Sequence, residues 1–523
     1  MPFLRTAHVA LAIVLTGSVA IIDAQAPGGP PPARPKPLVA KTTPARACES
    51  LKDVALDNTT IESAGVDPGD AQTPASCRVT AVVTHPPAGD KVRIFLAFPM
   101  TEWNGRFQGV GGGGFSGGSA AGVRAPLLAG YAAGSTDTGH EGASGSFALD
   151  NAGRLQWMLI RDNAYLGIHE MTQTGKALTQ SFYGAAPARS YFNGCSTGGR
   201  QGLSEAQRYP ADYDGILSGA PAINWTTLHI EQMWGHVVMT EAKHVVPACM
   251  YAAATAAAIT ACDAIDGVKD GVIEDPSRCT YDPKALVGTS AGACGTFTDA
   301  DADVIRKIWD GPHRLDGTRI WYGLPRGADF MGVSGTGGTP LVSRPNPITL
   351  EWWRYFLFKD PKWDPAGLTR AGYEQALQQS LEEFSAVIAT DNPDLSAFKA
   401  RGGKIVMWHG QADPLIYPGG SIDYYQRVEK QMGGRDKTGD VLRFFLAPGV
   451  GHCGGGAGPN PSGQFEAMVN WVETGKAPET LDAVRRNQSV TRTRPLCRYP
   501  LVAKYKGSGS TDDARNFTCA SGF

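Results

Sequence analysis

Three residues, far apart in the chain, have the types needed for nucleophilic catalysis. Ser196 lies in Gly194-Cys195-Ser196-Thr197-Gly198, which fits the G-x-S-x-G elbow that exposes a nucleophilic serine. The motif is loose. With 65 Gly in 523 residues, chance alone gives on the order of half a match, and Gly114-Phe115-Ser116-Gly117-Gly118 is a second one. Context separates the two. Ser196 follows a short apolar run and precedes Arg200–Tyr209, a helical stretch stopped by Pro210, whereas Ser116 is followed by more glycine and alanine and reads as a loop residue. A serine hydroxyl needs a base, and the base needs an orienting acid. Asp413 and His452 each follow a late strand-like run, in the order Ser…Asp…His. They are the candidate acid and base. Of the other histidines, His85, His140, His169 and His409 are read as lying in core segments away from the last loop.

The oxyanion formed by attack on an ester needs two N–H donors. One is Thr197, at a helix start where the dipole favours negative charge. The other is expected from the run Gly111–Gly114, where glycine lets backbone approach a substrate closely. No G-x-x-x-x-G-K-[ST] follows that run and no dinucleotide fingerprint fits, which argues against a phosphate cradle.

Cys195 neighbours Ser196, and Cys453 neighbours His452. If the two side chains meet, a bridge between their neighbours needs Cα atoms roughly 4.4–6.8 Å apart. It would staple the nucleophile turn to the base turn, with about 5 kcal/mol as an upper figure from chain entropy. Ten cysteines in an exported chain read as up to five disulfides, and no C-x-x-C pair suggests zinc or redox chemistry.

The elements that must position these residues alternate. Val92–Phe98, Arg106–Val110 and Tyr131–Ser135 read as strands, Arg161–Tyr183 as a helix, and the elbow strand and Gly215–Gly219 as further strands. The pattern breaks at 224–396 and resumes at Lys404–Gly410 and Leu442–Leu446. This predicts an α/β fold with a mostly parallel sheet, formed by 47–223 and 397–523, and a large inserted lid domain, 224–396, over the carboxyl edge of the strands. Residues 1–26 read as a signal peptide, with an apolar run from Val9 to Ile22 that is too short for a confident membrane span. Residues 27–46 read as a Pro-rich linker, and no later run looks long enough to cross a membrane. The expected location is secreted or periplasmic. A net charge of −2 with mixed signs gives no reason to expect a nucleic-acid partner.

Within the insertion, Asp263, Asp266 and Asp270 put three carboxylates within eight residues, interleaved with Gly267 and Gly271. Oxygen ligands without His or Cys suit a hard cation such as Ca²⁺; the spacing fits a solvated acidic turn equally well. Seven of the eleven tryptophans (Trp225, Trp234, Trp309, Trp321, Trp352, Trp353 and Trp363) fall in the insertion and are expected mainly to form its core.

Taken together, these residues resemble the tannase/feruloyl esterase family, which includes bacterial mono(2-hydroxyethyl) terephthalate hydrolases. The likeness rests on Glu102–Phe107, Gly194–Arg200, Tyr213–Ile216, Cys262–Gly267, Gly451–Cys453, Arg494–Cys497 and Tyr505–Gly509. It implies an α/β-hydrolase core with a lid, and Gly114 and Thr197 as oxyanion donors. It also implies structural calcium on the carboxylates of Asp263, Asp266 and Asp270 and the carbonyls of Val268 and Val272. It suggests the pairs Cys195–Cys453, Cys262–Cys279, Cys497–Cys519 and Cys48–Cys77; Cys249 and Cys294 are then left for each other. Thr197 departs from the glutamate that some terephthalate-ester hydrolases carry there, and the lid arginine those enzymes use for the substrate carboxylate has no clear counterpart.

The expected protein is a serine esterase acting on small aromatic esters such as gallates or hydroxycinnamates, as a monomer or homodimer. The alternatives are a terephthalate-monoester hydrolase, a general carboxylesterase, or a calcium-stabilised binding protein with a dead hydrolase fold.

Overall fold

Nine strands make one mixed sheet in the computed structural model, which describes residues 35–486 and 490–522. They are β1 (Thr59–Asp67), β2 (Ser76–Val83), β3 (Val92–Pro99), β4 (Arg106–Val110), β5 (Ala132–Thr136), β6 (Arg189–Cys195), β7 (Gly215–Gly219), β8 (Lys404–Gly410) and β9 (Leu442–Ala447). Their order across the sheet is β1-β2-β3-β5-β4-β6-β7-β8-β9. The pairs β1/β2, β2/β3 and β3/β5 are antiparallel; every pair from β5 to β9 is parallel.

The parallel strands show why the apolar runs are legible. Their side chains alternate between two buried faces. Phe192, Ile216, Met407 and Phe444 enter one core with Met171 and Leu178 of the helix Gly167–Tyr183 and with Tyr424 and Tyr425 of the helix Pro418–Met432. Tyr191, Leu217, Val406 and Phe445 enter the other with Met468 and Trp471 of the helix Gln464–Thr474. Helices therefore cover both faces, as the α/β reading expects.

The sheet is mostly parallel, as that reading expects, with its antiparallel pairs confined to the β1–β2–β3–β5 end. β1 carries no strong sequence signal: most of it is exposed or half-exposed, and its sequence TTIESAGVD shows little alternation. The C-terminal antiparallel ribbons Asn460–Ser462/Thr480–Arg486/Thr491–Cys497 and Leu501–Tyr505/Phe517–Ser521 are short and rich in polar residues, and lie outside the expected pattern for the same reason. The expected helix Arg161–Tyr183 is present but composite. It begins at Trp157 and passes through a π-turn, Asp162–Leu166, before the α-helix Gly167–Tyr183.

Residues 224–396 supply most of one buried cluster, which Phe115, Ile160, Ala222, Ile416 and Tyr417 join from outside the insertion. Trp225, Trp234, Trp309, Trp352 and Trp353 are buried in it, Trp363 packs on it, and Trp321 is half-buried at a small cleft. Helical structure from Ala248 to Asp266 runs 19 residues and is apolar enough by length and composition to match a membrane span, which corrects the expectation that no run after the leader does so. The run is alanine-rich. Met250, Tyr251, Ala254, Ala258 and Cys262 form its buried stripe, and Cys249–Cys294 and Cys262–Cys279 bridge its two ends to neighbouring chain.

Residues 36–46, assigned to the linker on composition, lie along the core. Leu38 N–H donates to Asn104 O, Ala45 N–H to Phe182 O, and the Arg46 guanidinium to Ser50 and Ser181. Proline content misleads here, because the segment is held by its backbone groups rather than by an apolar stripe. The expected signal peptide lies outside the described residues.

One ion pair ties the parallel strands to their covering helix. Arg106 of β4, only 2% exposed, donates through Nε and Nη2 to both oxygens of Glu473 at 2.7 Å each. Tyr191 Oη of β6 donates to the same carboxylate, at 2.7 Å. Removing one partner leaves a buried charge uncompensated, which costs about 3–5 kcal/mol, whereas the pair as a whole is worth far less. Glu473→Ala is expected to lower thermal and urea stability by about 3 kcal/mol, and Glu473→Gln by clearly less, because the amide still accepts. Equal losses for the two variants in urea melts would overturn this account.

Candidate active site

Four loops leave the carboxyl ends of β4, β6, β8 and β9, and together they carry every expected catalytic residue. β6 ends at Cys195, and the helix Thr197–Arg208 starts two residues later, so Ser196 must make the whole turn. It does so at φ +63°, ψ −123°, a backbone conformation L residues rarely adopt. The turn closes because its neighbours lack side chains. A Cβ on Gly194 would come within 2.4 Å of the Gly198 backbone, and one on Gly219 of β7 would meet Trp408 Nε1 at 2.8 Å and Cys195 Sγ at 3.1 Å. Ser196 N–H donates to Gly219 O at 3.0 Å, fixing the elbow to the next strand. Ser116 is a loop residue, its hydroxyl bonded to Gly118 O, as expected.

Asp413 follows β8 and is fully buried. Its Oδ2 meets His452 Nδ1 at 2.8 Å, and its Oδ1 accepts the N–H groups of Leu415 and Ile416. Burial alone would raise the Asp413 pKa. The facing imidazole of His452 and the hydrogen bonds from His409 and His452 outweigh it and hold the carboxyl below the ordinary range. His409 is a residue that sequence reasoning set aside. It is the penultimate residue of β8 and fully buried, with Nε2 3.2 Å from Asp413 Oδ2 and 2.8 Å from Ile416 O, and Nδ1 2.8 Å from Ser421 Oγ. Asp413 thus has an imidazole on each side. The signal was available: His409 stands four residues before Asp413, on the strand that delivers it.

Cys195 and Cys453 are bridged, with Cα atoms 6.0 Å apart. Cys453 is also in the left-handed region, at φ +57°. The bridge brings the serine and histidine turns together. Among the described residues, Ser196 Oγ makes no hydrogen bond, so the expected contact with His452 is not formed in this state; such bonds commonly tighten only with substrate present. The four other bridges are Cys48–Cys77, Cys249–Cys294, Cys262–Cys279 and Cys497–Cys519.

Gly114, at φ +59°, faces the start of the serine helix, and Thr197 Oγ1 donates to Gly114 O at 2.6 Å. Gly198 N–H donates to Gly112 O and Gly112 N–H to Gln201 Oε1, both at 3.0 Å, so the glycine loop is sewn to that helix. Among the described residues the N–H groups of Gly114 and Thr197 have no acceptor, which leaves both free for an oxyanion. Ile348 of the insertion lies 3.3 Å from the point a Gly114 Cβ would occupy. A cavity of about 330 Å³ reaches His452 and not Ser196; Ile259, Ile273, Arg326, Asp329, Gln411 and Pro414 help line it.

In the acidic loop, Asp263 accepts from the N–H groups of Asp270, Gly271 and Val272, Asp266 from Val268 N–H, and Asp270 from Val272 N–H. Asp270 Oδ2 also pairs with Arg494 at 2.6 Å and Arg492 at 3.3 Å. Burial, then the neighbouring Asp270 carboxylate, pushes Asp266 up to about 6; burial, then Asp266, pushes Glu274 up to about 8. Among the described residues, the carboxylate and imidazole groups that converge within 4.8 Å are His85/Asp162/Glu170 and His169/Glu205/Asp212, and the three loop aspartates are in neither.

The family model described as "Tannase and feruloyl esterase" matches residues 77–520. A probable feruloyl esterase of Arthroderma benhamiae is 42% identical over 464 residues, covering 86% of each chain. Feruloyl esterase B of Aspergillus niger is 32% identical, covering 85% of this chain and 86% of its own. The crystal structure of feruloyl esterase B from Aspergillus oryzae superposes with a TM-score of 0.79 at 29% identity, over 90% of this chain and 99% of that one. Tannin acyl hydrolase from Aspergillus niger gives a TM-score of 0.82 at 26% identity, over 92% and 96%. With the match spanning most of the sequence and the sheet carrying the residues described above, the chain belongs to the tannase and feruloyl esterase family of carboxylic ester hydrolases.

Proposed function

We propose that the protein is an exported serine esterase that cleaves aromatic carboxylic esters, gallates or hydroxycinnamates, through an acyl-enzyme. The observation that carries this reading is the single edge of the sheet. There Ser196, the Asp413–His452 pair and two unoccupied N–H donors stand on adjacent loops, two of which are covalently joined. Ser196 Oγ attacks the ester carbonyl while His452 Nε2 takes its proton, and Asp413 stabilises the imidazolium. Charge develops on the carbonyl oxygen, which the N–H groups of Gly114 and Thr197 receive at the positive end of the serine helix. His452 returns the proton to the leaving alcohol, then activates water, which releases the acid and restores Ser196. The cavity beside His452 lies where the alcohol must depart, and Arg326, Asp329 and Gln411 suit a polar alcohol there. Residues 224–396 act as the lid: they give Ile259, Ile273, Arg326 and Asp329 to that cavity and set Ile348 beside Gly114.

The named relatives support a phenolic acyl group. Thr197 argues against a terephthalate monoester: its hydroxyl is engaged by Gly114 O, so it offers nothing to a distant carboxylate. Five disulfides support an oxidising location.

The acidic loop suits structural calcium. Asp263, Asp266 and Asp270, with Glu274 behind them, outnumber Arg492 and Arg494; burial first and then the neighbouring carboxylates push Asp266 and Glu274 up, and a hard cation among them would offset both. Asp263, Asp266, Asp270 and the carbonyls of Val268 and Val272 would hold it.

Ser196→Ala should lower kcat on methyl ferulate and methyl gallate by roughly ten-thousand-fold or more and abolish fluorophosphonate labelling; a labelled or active variant would sink the mechanism. A mild reductant should depress activity before near-UV dichroism changes, because Cys195–Cys453 aligns the two turns; simultaneous loss would count against that role. EDTA should lower the melting temperature and added Ca²⁺ restore it, with Asp266→Asn insensitive to both. A wild-type melt unmoved by chelator rejects the calcium reading.

A further inference from the structure

A second cluster of ionisable groups lies outside the residues assigned to catalysis and outside the acidic loop. His85 lies in the turn between β2 and β3, with Asp90 five residues on. Asp162 opens the π-turn Asp162–Leu166, and Glu170 lies in the first turn of the helix that follows. His85 Nδ1 meets Asp90 Oδ2 at 2.6 Å, His85 Nε2 meets Glu170 Oε1 at 2.5 Å, and Asp162 Oδ1 stands 3.8 Å from His85 Nδ1. Donor atoms of His85, Asp162 and Glu170 all lie within 4.8 Å of one another. Asp162 is 0% exposed, and neither of its oxygens has a hydrogen-bond partner among the described residues; Glu170 Oε2 is likewise buried and unpartnered.

Three orphaned carboxylate oxygens around one imidazole are costly. With all three carboxyl groups ionised, even a protonated His85 would offset one of three negative charges. Arg161, next in the chain, donates its Nε to Tyr165 Oη instead. The other convergent group, His169/Glu205/Asp212, differs because it has a resident cation: Lys176 Nζ donates to Asp212 O. No such ammonium serves Asp162 among the described residues.

We propose that His85, Asp162 and Glu170 bind a divalent first-row cation, with Asp90 as the positioning residue that holds the His85 ring. Asp90 accepting from Nδ1–H leaves the Nε2 lone pair directed at the Glu170 side, the usual carboxylate–histidine–metal arrangement. One imidazole with carboxylates and no thiolate suits Zn²⁺ or Mn²⁺. The π-turn fits the same reading, since such turns cluster at functional sites. The site also has a route to the oxyanion loop. Asn163 Nδ2 donates to Phe115 O and Thr138 Oγ1, and Phe115 follows Gly114. A cation on Asp162 would fix the turn that supports that loop.

The test uses the full-length protein, treated with EDTA and exchanged into chelator-free buffer, then titrated calorimetrically with Zn²⁺ and with Mn²⁺ while melts are recorded at each ion concentration. The expected result is one equivalent of at least one ion and a rise in melting temperature. Asp162→Asn should weaken that affinity about 100-fold or more, and Asp90→Asn by roughly 10–100-fold. His169→Ala, at the neighbouring cluster, should leave it unchanged. Should Asp162→Asn not fold, His85→Ala supplies the same readouts. The proposal is overturned if the wild type binds neither ion, or if Asp162→Asn and His85→Ala bind as the wild type does. It is equally overturned if Asp162→Asn is the more stable protein with no ion dependence, which would make the cluster a self-contained network around a protonated Asp162.

Discussion

The Cys195–Cys453 bridge joins two turns that are each held in left-handed backbone by residues other than glycine. Ser196 and Cys453 both sit at positive φ, and neither conformation would persist without surrounding structure that over-determines it. The bridge supplies part of that constraint. The rest comes from close approach: Gly194 against Gly198, Gly198 against the Gly112 carbonyl, and Gly219 against both the Cys195 sulfur and the Trp408 ring. The covalent tie and the missing side chains have one effect. They hold the ends of β6, β7, β8 and β9 close together, and they leave the serine little room to relax into ordinary helix or strand.

The electrostatics of the edge follow from the same closeness. Asp413 is fully buried, so its charge must be repaid locally, and it is met by His452 on one side, His409 on the other, and two backbone N–H groups beneath. A carboxylate satisfied in this way stays ionised at any working pH and holds one tautomer of His452, with Nδ1–H toward the acid and Nε2 free. His409 is itself pinned by Ser421 and Ile416 O, so it acts as a fixed donor. Its contribution is to the position and charge of Asp413, one step removed from the reacting atoms.

Much of this was readable in the chain because the chemistry demands particular residues at strand ends. Ser196, Asp413 and His452 each follow an apolar run, and a cysteine stands next to both the first and the last of them. The parallel strands were legible because both faces are buried and the runs are continuous. β1 and the C-terminal ribbons were not, since strands exposed on one side and rich in Thr, Arg and Asp carry little periodicity. His409 was missed because it lies inside a strand, where a histidine is usually structural. The Asp162 cluster was missed for a different reason: its members come from a turn, a π-turn and a helix, and no spacing in the sequence relates residue 85 to residues 162 and 170. The family resemblance carried Cys48–Cys77, Cys262–Cys279 and Cys497–Cys519, which spacing alone could not have chosen from so many combinations, and Cys249–Cys294 followed by elimination.

The helix behind the nucleophile carries one more feature that bears on the oxyanion. Arg200 is fully buried in its first turn. Its guanidinium donates to Ala164 O at 2.7 Å and Asn163 O at 3.2 Å and lies over the Trp225 ring, 5.1 Å from its centroid. It meets carbonyl dipoles and an aromatic face rather than a carboxylate, and burial pulls its pKa below the usual guanidinium value. A buried cation that no anion neutralises keeps its field. Here that field adds to the positive end of the helix dipole at Thr197, the position the proposed mechanism gives to the ester oxygen. The π-turn supplies the two carbonyls that make this tolerable, and through Asn163 it also holds the loop bearing Gly114. One irregular turn thus contacts both sides of the proposed oxyanion site: the glycine loop through Asn163, and the serine helix through Arg200.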